Sequence, residues 1–237
     1  MRPVGLGAAA IGLGLCALCA PASASQQVYT YTVIHPVYGE IGTYTDTIDC
    51  TADLTRIDTH LRVAVRVLGM VAYREESDTT EVLQGNRLMT LLSSTDKDGT
   101  HMDVRGEAQG ERFLVTATSG SMAAPADVAP SDPWLLKHTG IGMVVSTSTG
   151  KLVNIRVSDG EEVVISVHGV DVTTRHFLIM GDKRQEVWLD KHDIPVMFRT
   201  MEHGTAIDFV LKTPISDAAI ALAAATPAAA LRADDDK

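Results

Sequence analysis

Residues 55–67 alternate from end to end. Ile57, Thr59, Leu61, Val63, Val65 and Val67 fall on one side, and Arg56, Asp58, His60, Arg62 and Arg66 on the other, with Ala64 among them. A helix would scatter these apolar positions around its circumference, whereas a strand sends successive side chains to opposite faces. This stretch therefore reads as a long strand, and long strands curl or bulge. It also leaves one apolar face that must be covered.

The same pattern returns along the chain. Tyr29, Tyr31 and Val33 alternate with Thr30 and Thr32. Residues 143–211 repeat it: Val153, Ile155 and Val157 end at Asp159-Gly160, and Val163, Ile165 and Val167 end at His168-Gly169. Asp98-Gly99, Gln109-Gly110 and Ser119-Gly120 close further short strands. Turn dipeptides at such spacing mark antiparallel hairpins rather than strand–helix–strand units. The expected class is all-β: a strongly twisted antiparallel sheet bent into an incomplete or closed barrel. Its halves span residues 28–118 and 143–211.

Three stretches break the pattern. Residues 73–82 are polar on both faces and read as an edge or solvent-flanked strand, where charges discourage sheet-to-sheet pairing. Residues 123–131 hold Pro125 and Pro130, lack a period and read as a crossover loop. At residues 131–136 a short helical turn near Trp134 is expected, with Ser131 or Asp132 as cap and Pro133 in its first position. No long amphipathic helix is available as a cover, so the apolar face closes on itself around a core or a cavity.

The ends carry other information. Met1-Arg2, an apolar run and Ala22-Ser23-Ala24 make residues 1–24 a secretory signal peptide, cleaved near Ala24. Its glycines and Pro21 suit cleavage better than anchoring, so no transmembrane anchor is expected afterwards. This places the mature protein in the periplasm or outside the cell. Residues 25–213 form one β domain, and residues 214–237 an alanine-rich, low-complexity tail. Of three cysteines, cleavage leaves Cys50, read as a small buried side chain near a strand end. The formal charge of −10 argues against nucleic acid and anionic lipid as partners.

Taken in order, several features carry a resemblance. They are Tyr29-x-Tyr31, Gly39-Glu40-Ile41-Gly42, Tyr73-Arg74, Gly85-x-x-Leu88, Asp98-Gly99, Pro133-Trp134, Thr149-Gly150-Lys151-Leu152, Asp159-Gly160, Gly181-Asp182 and Trp188-Leu189-Asp190. The chain resembles a family of exported bacterial β-sheet proteins known as a domain of unknown function, over residues 28–211. It departs from that pattern at His176, Leu189 and His203-Gly204, so no site built on tyrosine hydroxyls at the first two positions is expected. More loosely, such curved sheets are similar to the open barrels of periplasmic lipoprotein carriers. The resemblance implies fold and export, and assigns no activity.

The chemistry is sparse. Eight histidines raise the question of a metal, but neither His-x-His nor His-Glu-x-x-His spacing occurs, and no metal or cofactor is expected. No Gly-x-Ser-x-Gly elbow is present. Glu75-Glu76 and Glu161-Glu162 are adjacent, so on strands their carboxylates face apart. His176 alternates onto the side of Val172, Leu178 and Met180, where a backbone partner would satisfy it. Trp134 and Trp188 carry large apolar area with one polar handle. Trp134, His176 and Trp188 are the candidate ligand-contacting residues. The favoured function is a non-catalytic binder of an apolar or lipid-like small molecule in the cell envelope. A structural protein meeting an envelope partner through the edge at residues 73–82 comes second, and a hydrolase-like enzyme third.

Overall fold

The computed structural model describes residues 25–134 and 140–212, all in strands, turns and loops. The signal segment, the tail and part of the expected helical turn near Trp134 lie outside the described residues. Within them, residues 131–134 form a bend and a turn, and the backbone N–H of Trp134 donates to the Asp132 carboxylate at 2.7 Å. Asp132 does hold this corner through its side chain, as a capping residue would, but in a turn.

The first arm runs β1 (Ser25–His35), β2 (Gly39–Cys50), β3 (Leu54–Val67), β4 (Met70–Gln84), β5 (Arg87–Lys97), β6 (Thr100–Gln109), β7 (Arg112–Ala117) and β8 (Gly120–Pro125). The second runs β9 (Ala129–Pro130), β10 (Gly140–Val145), β11 (Leu152–Val157), β12 (Glu161–Val167), β13 (Val170–Met180), β14 (Arg184–Leu189), β15 (Pro195–Glu202) and β16 (Thr205–Leu211). Hairpin follows hairpin, and β16 returns to pair with β1, so the two arms join in one sheet. The order starts at β8 and ends at β9, which leaves the barrel incomplete. Pairing is antiparallel except for the two-residue contact of β9 with β10.

The long strand is β3, and Ile57, Thr59, Val63 and Val65 on its apolar side are buried. Its pairing with β4 slips at Val65/Arg66, the bulge that lets a strand of this length bend. Cys50, at the end of β2, is buried. The tight turns carry positive φ at paired positions, as in Asp98-Gly99 and His168-Gly169, which matches the twist of the strands they join.

Two expectations are corrected. Residues 73–82 belong to β4, which is hydrogen-bonded to β3 on one side and β5 on the other and is not an edge. Its alternate residues Glu75, Ser77, Thr79 and Glu81 face the inside of the curl, where they line a cavity. Their polarity belongs to the interior rather than to a free edge. Residues 123–125, assigned to the crossover, instead pair with β7 as the end of β8.

One buried cluster spans both arms, from Tyr31, Ile48 and Leu91 to Val157, Ile179 and Leu189. The arms also touch where the turn between β10 and β11 meets the first arm. Gly150 has φ +71°, and a Cβ there would stand 2.6 Å from the Ala117 Cβ and 3.3 Å from Val115. Only glycine gives both that backbone and that approach. Gly150→Ala should therefore lower stability by about 2–4 kcal/mol, combining left-handed strain with overpacking. Urea unfolding would measure it, and an unchanged midpoint would show that the turn does not bear on β7.

Candidate functional site

The inside of the curl is not filled. A cavity of about 580 Å³ is bounded by β2, β3 and β4 on one side and by β11, β13, β14, β15 and β16 on the other. Its apolar surface comes from Leu61, Val153, Ile155, Ile179, Val187, Phe198 and Phe209. The rings of Tyr44, Phe198 and Phe209 pack together there, with Phe198 stacked on Phe209 at 4.4 Å and Tyr44 edge-on to both.

The opposite wall is polar because β4 and β5 turn hydroxyls inward at matched register. Ser77 pairs with Thr95 at 2.8 Å and Thr79 with Ser93 at 2.9 Å. Each hydroxyl thus meets another across the ladder, which makes a polar wall affordable in an interior. Toward solvent the lining becomes charged. Lys97 lies 3.6 Å from Glu75 and over the Tyr73 ring, and Lys183 pairs with Glu202. Burial and the neighbouring Glu75 hold the Tyr73 hydroxyl well above the usual phenol range.

Three acids gather at the deep end. Asp46 of β2 is fully buried and accepts from the Thr59 hydroxyl at 2.6 Å and from the Trp134 indole N–H at 2.6 Å. Asp132 is held by the backbone N–H of Trp134. Glu81 of β4 is 1% exposed, stands between Ile57 and Leu91 across the ladder, and among the described residues has no hydrogen-bond partner for either carboxylate oxygen. Asp132 and Glu81 line the cavity, whereas Trp134 lies behind its floor.

Burial drives the ionisation of all three upward. Glu81 and Asp46 stand well above the usual carboxylate range, first through loss of hydration and then through the like charges around them. Asp132 is pushed up to about 6 by burial, partly offset by the N–H it accepts. Tyr31 and Tyr44 are raised by burial and by these same acids. Although three carboxyl groups converge, among the described residues no group of three or more His, Cys, Asp or Glu is placed to hold a metal ion.

The candidate residues from the sequence separate into two places. Trp134 supports the acidic floor. His176 and Trp188 are cross-strand partners on β13 and β14, stacked at 4.5 Å, and the His176 Nε2 lies 2.9 Å from Glu186. Arg199 lies over the Trp188 ring and pairs with Asp208. Neither His176 nor Trp188 is among the described residues that line the cavity. The partner of His176 is a carboxylate rather than the expected backbone group. The buried side of β13 changes along its length, with Thr174 buried in the part paired to β12, and Phe177 and Ile179 buried beyond it. Strict alternation from Val172 therefore put His176 on the apolar side, whereas the buried positions change parity along the strand and leave His176 half-buried.

The residues that sequence reasoning missed are Asp46, Glu81 and Asp132. One signal was available. In β4 the polar residues at alternate positions, Glu75, Ser77, Thr79 and Glu81, run directly into buried Leu83 on the same face. A polar stripe continuing an apolar one marks a wall that passes from core to cavity.

A family described as a domain of unknown function, DUF6134, matches residues 38–212. A search of curated proteins finds no match. Among solved structures, the crystal structure of a beta-barrel-like protein of a domain of unknown function, DUF1849, from Brucella abortus is similar with a TM-score of 0.60. That likeness covers 79% of this chain and 95% of that one at 9% sequence identity. At so low an identity it bears on the fold alone.

The buried acids set a pH signature. Well below pH 4 they are protonated in both the folded and unfolded chain. As pH rises above about 4, the unfolded chain releases these protons first, so the folded state binds more of them and stability falls. For Asp132 the loss runs from about pH 4 to its folded value of about 6. The half-buried Asp58 and the exposed Asp78 are held low, against some loss of hydration, by Arg56, Thr80, His60 and Arg62, and act below this window. The melting temperature should decline between pH 4.5 and 6.5 (about the range those values bracket), and Asp132→Asn should flatten part of the decline. A melting temperature that rises across that interval, equally in both proteins, would contradict the assignment.

Proposed function

Because the chain belongs to the DUF6134 family, whose description assigns no activity, we propose its function from the cavity: it is a non-catalytic binder of a small amphipathic molecule. The observation that carries this reading is the unequal lining. An aromatic and aliphatic wall of Phe198, Phe209, Leu61, Ile155 and Ile179 faces a wall of hydroxyls and acids. Ligand sites are mostly apolar concavities with a few placed polar groups. The volume of about 580 Å³ falls in the range such sites occupy, about 300–1,000 Å³.

This narrows the apolar ligand expected from the sequence to one with a polar end. The body of the molecule lies against the aromatic group and its polar end points to the floor. The composition of residues 1–24 supports a place for this work beyond the inner membrane, in the periplasm or outside the cell. The partner surface assigned to residues 73–82 loses its premise, since both sides of β4 are paired within the sheet.

Organic extraction and mass spectrometry of protein isolated from its native compartment should yield a stoichiometric small molecule. In parallel, the neutral probe N-phenyl-1-naphthylamine should bind with enhanced fluorescence. Leu61→Trp, which fills the space between the walls, should weaken that binding at least about tenfold, the equivalent of 1.4 kcal/mol. Absence of an extracted molecule, together with a probe that ignores the protein, would remove the reading.

A further inference from the structure

The floor of the cavity holds an acceptor with nothing to accept. Among the described residues neither buried Glu81 oxygen has a hydrogen-bond partner, and the side chain lines the cavity. Buried polar groups are almost always paired, because an unmade bond costs the full loss of hydration. The other two acids differ. Asp46 is already engaged by Thr59 and Trp134, and Asp132 by the Trp134 backbone. Glu81 is the acid left for an occupant.

The charges around it select that occupant. Among the described residues, the charges acting on Glu81 are those of Asp132 and Asp46, both of its own sign. Of the four cations in the lining, Lys97, Lys183 and Arg199 are paired with Glu75, Glu202 and Asp208, and Lys151 is exposed to solvent. An anionic head would meet the Glu81 and Asp132 carboxyl groups, with Asp46 behind them and no positive charge acting on Glu81 among the described residues. A cation would relieve the repulsion among them, and the faces of Tyr44, Phe198 and Phe209 along the wall favour positive charge as well.

We propose that the polar end of the ligand is a cationic nitrogen, an ammonium on an otherwise apolar body, whose N–H groups donate to the two Glu81 oxygens. This rests on the cavity being a binding site and specifies its chemistry. Burial and the neighbouring acids shift the Glu81 carboxyl toward its protonated form; an ammonium beside it shifts it back toward the carboxylate, and the proton so released passes to solvent. Charge balances: one cation enters and one proton leaves. Asp132 and Asp46 act on Glu81 as like charges, and the Tyr44 hydroxyl, raised by burial and by the same three acids, stays protonated.

The test compares n-octylamine, 1-octanol and octanoate by calorimetry on the wild-type protein at pH 7, in two buffers of different ionisation enthalpy. Octylamine should bind at least about tenfold tighter than octanol, the range expected for a charge-assisted bond over a neutral one. Octanoate should bind weakest, and the amine heat should depend on the buffer, reporting proton release. Glu81→Gln should lose the preference for the amine over the alcohol while keeping the alcohol. Circular dichroism checks that this variant folds, and the wild-type ranking decides the matter alone if it does not. Equal binding of amine and alcohol, or an amine preference that survives in Glu81→Gln, overturns the cationic assignment and leaves the cavity reading standing. If none of the three binds, both fall together.

Discussion

The hydrogen bond from the Trp134 indole to Asp46 joins residues 88 positions apart in the chain. An ionisable group taken into an interior costs several kcal/mol unless donors meet it. Asp46 meets two, and one of them hangs from the crossover between the arms. The crossover cannot leave without stranding the acid, and the acid cannot ionise outward without losing the crossover. Asp132 is placed by the same arrangement, since its carboxylate holds the backbone N–H of Trp134. The ring itself packs against Tyr29 of β1 at 4.4 Å. A single indole thereby fixes the corner, the depth of the floor and two of its three acids.

Around that fixed corner, an open sheet has to solve the problem of its exposed face. It does so by curling until the second arm lies against the first. Gly150 touches β6 and β7 at one contact. Within the second arm, the His168 ring at the tip of the β12–β13 hairpin lies 2.8 Å from the Leu211 carbonyl. Complete closure would fill the interior with interdigitated side chains. Incomplete closure leaves room between a wall of rings and a wall of hydroxyls. A carboxyl buried there with no hydrogen-bond partner among the described residues lowers stability, because its lost hydration is not replaced.

Much of this was legible in the residue order. Ile57 to Val65 could only be a strand with one buried side, and the structure buries it. Asp98-Gly99 and His168-Gly169 could only be tight turns. The order of weak motifs pointed to the family that the chain belongs to. The site was less legible, and Glu81 shows why. Its neighbours in sequence, Thr80 and Val82, gave no hint of depth, and the stripe Glu75, Ser77, Thr79 and Glu81 looks the same facing water or a cavity unless it is read together with Leu83, into which it runs. Asp46 sits among Tyr44, Thr45 and Thr47 on a strand with mixed faces. Its importance comes from Trp134, far away in the chain.

Alternation by itself settled which residues are strands and which side chains share a face, because the two-residue repeat of a strand is a local steric fact. It also settled that these strands are antiparallel, because turns of two residues leave no other connection. What lies opposite each face was decided only when β16 returned to β1 and the arms curled together. That step made β4 an inner wall instead of an edge and brought Asp46, Glu81 and Asp132 to one floor. It also left His176 and the buried Trp188 outside the lining of the cavity. Solvation and charge depend on distances through space, and those exist only once the sheet has bent.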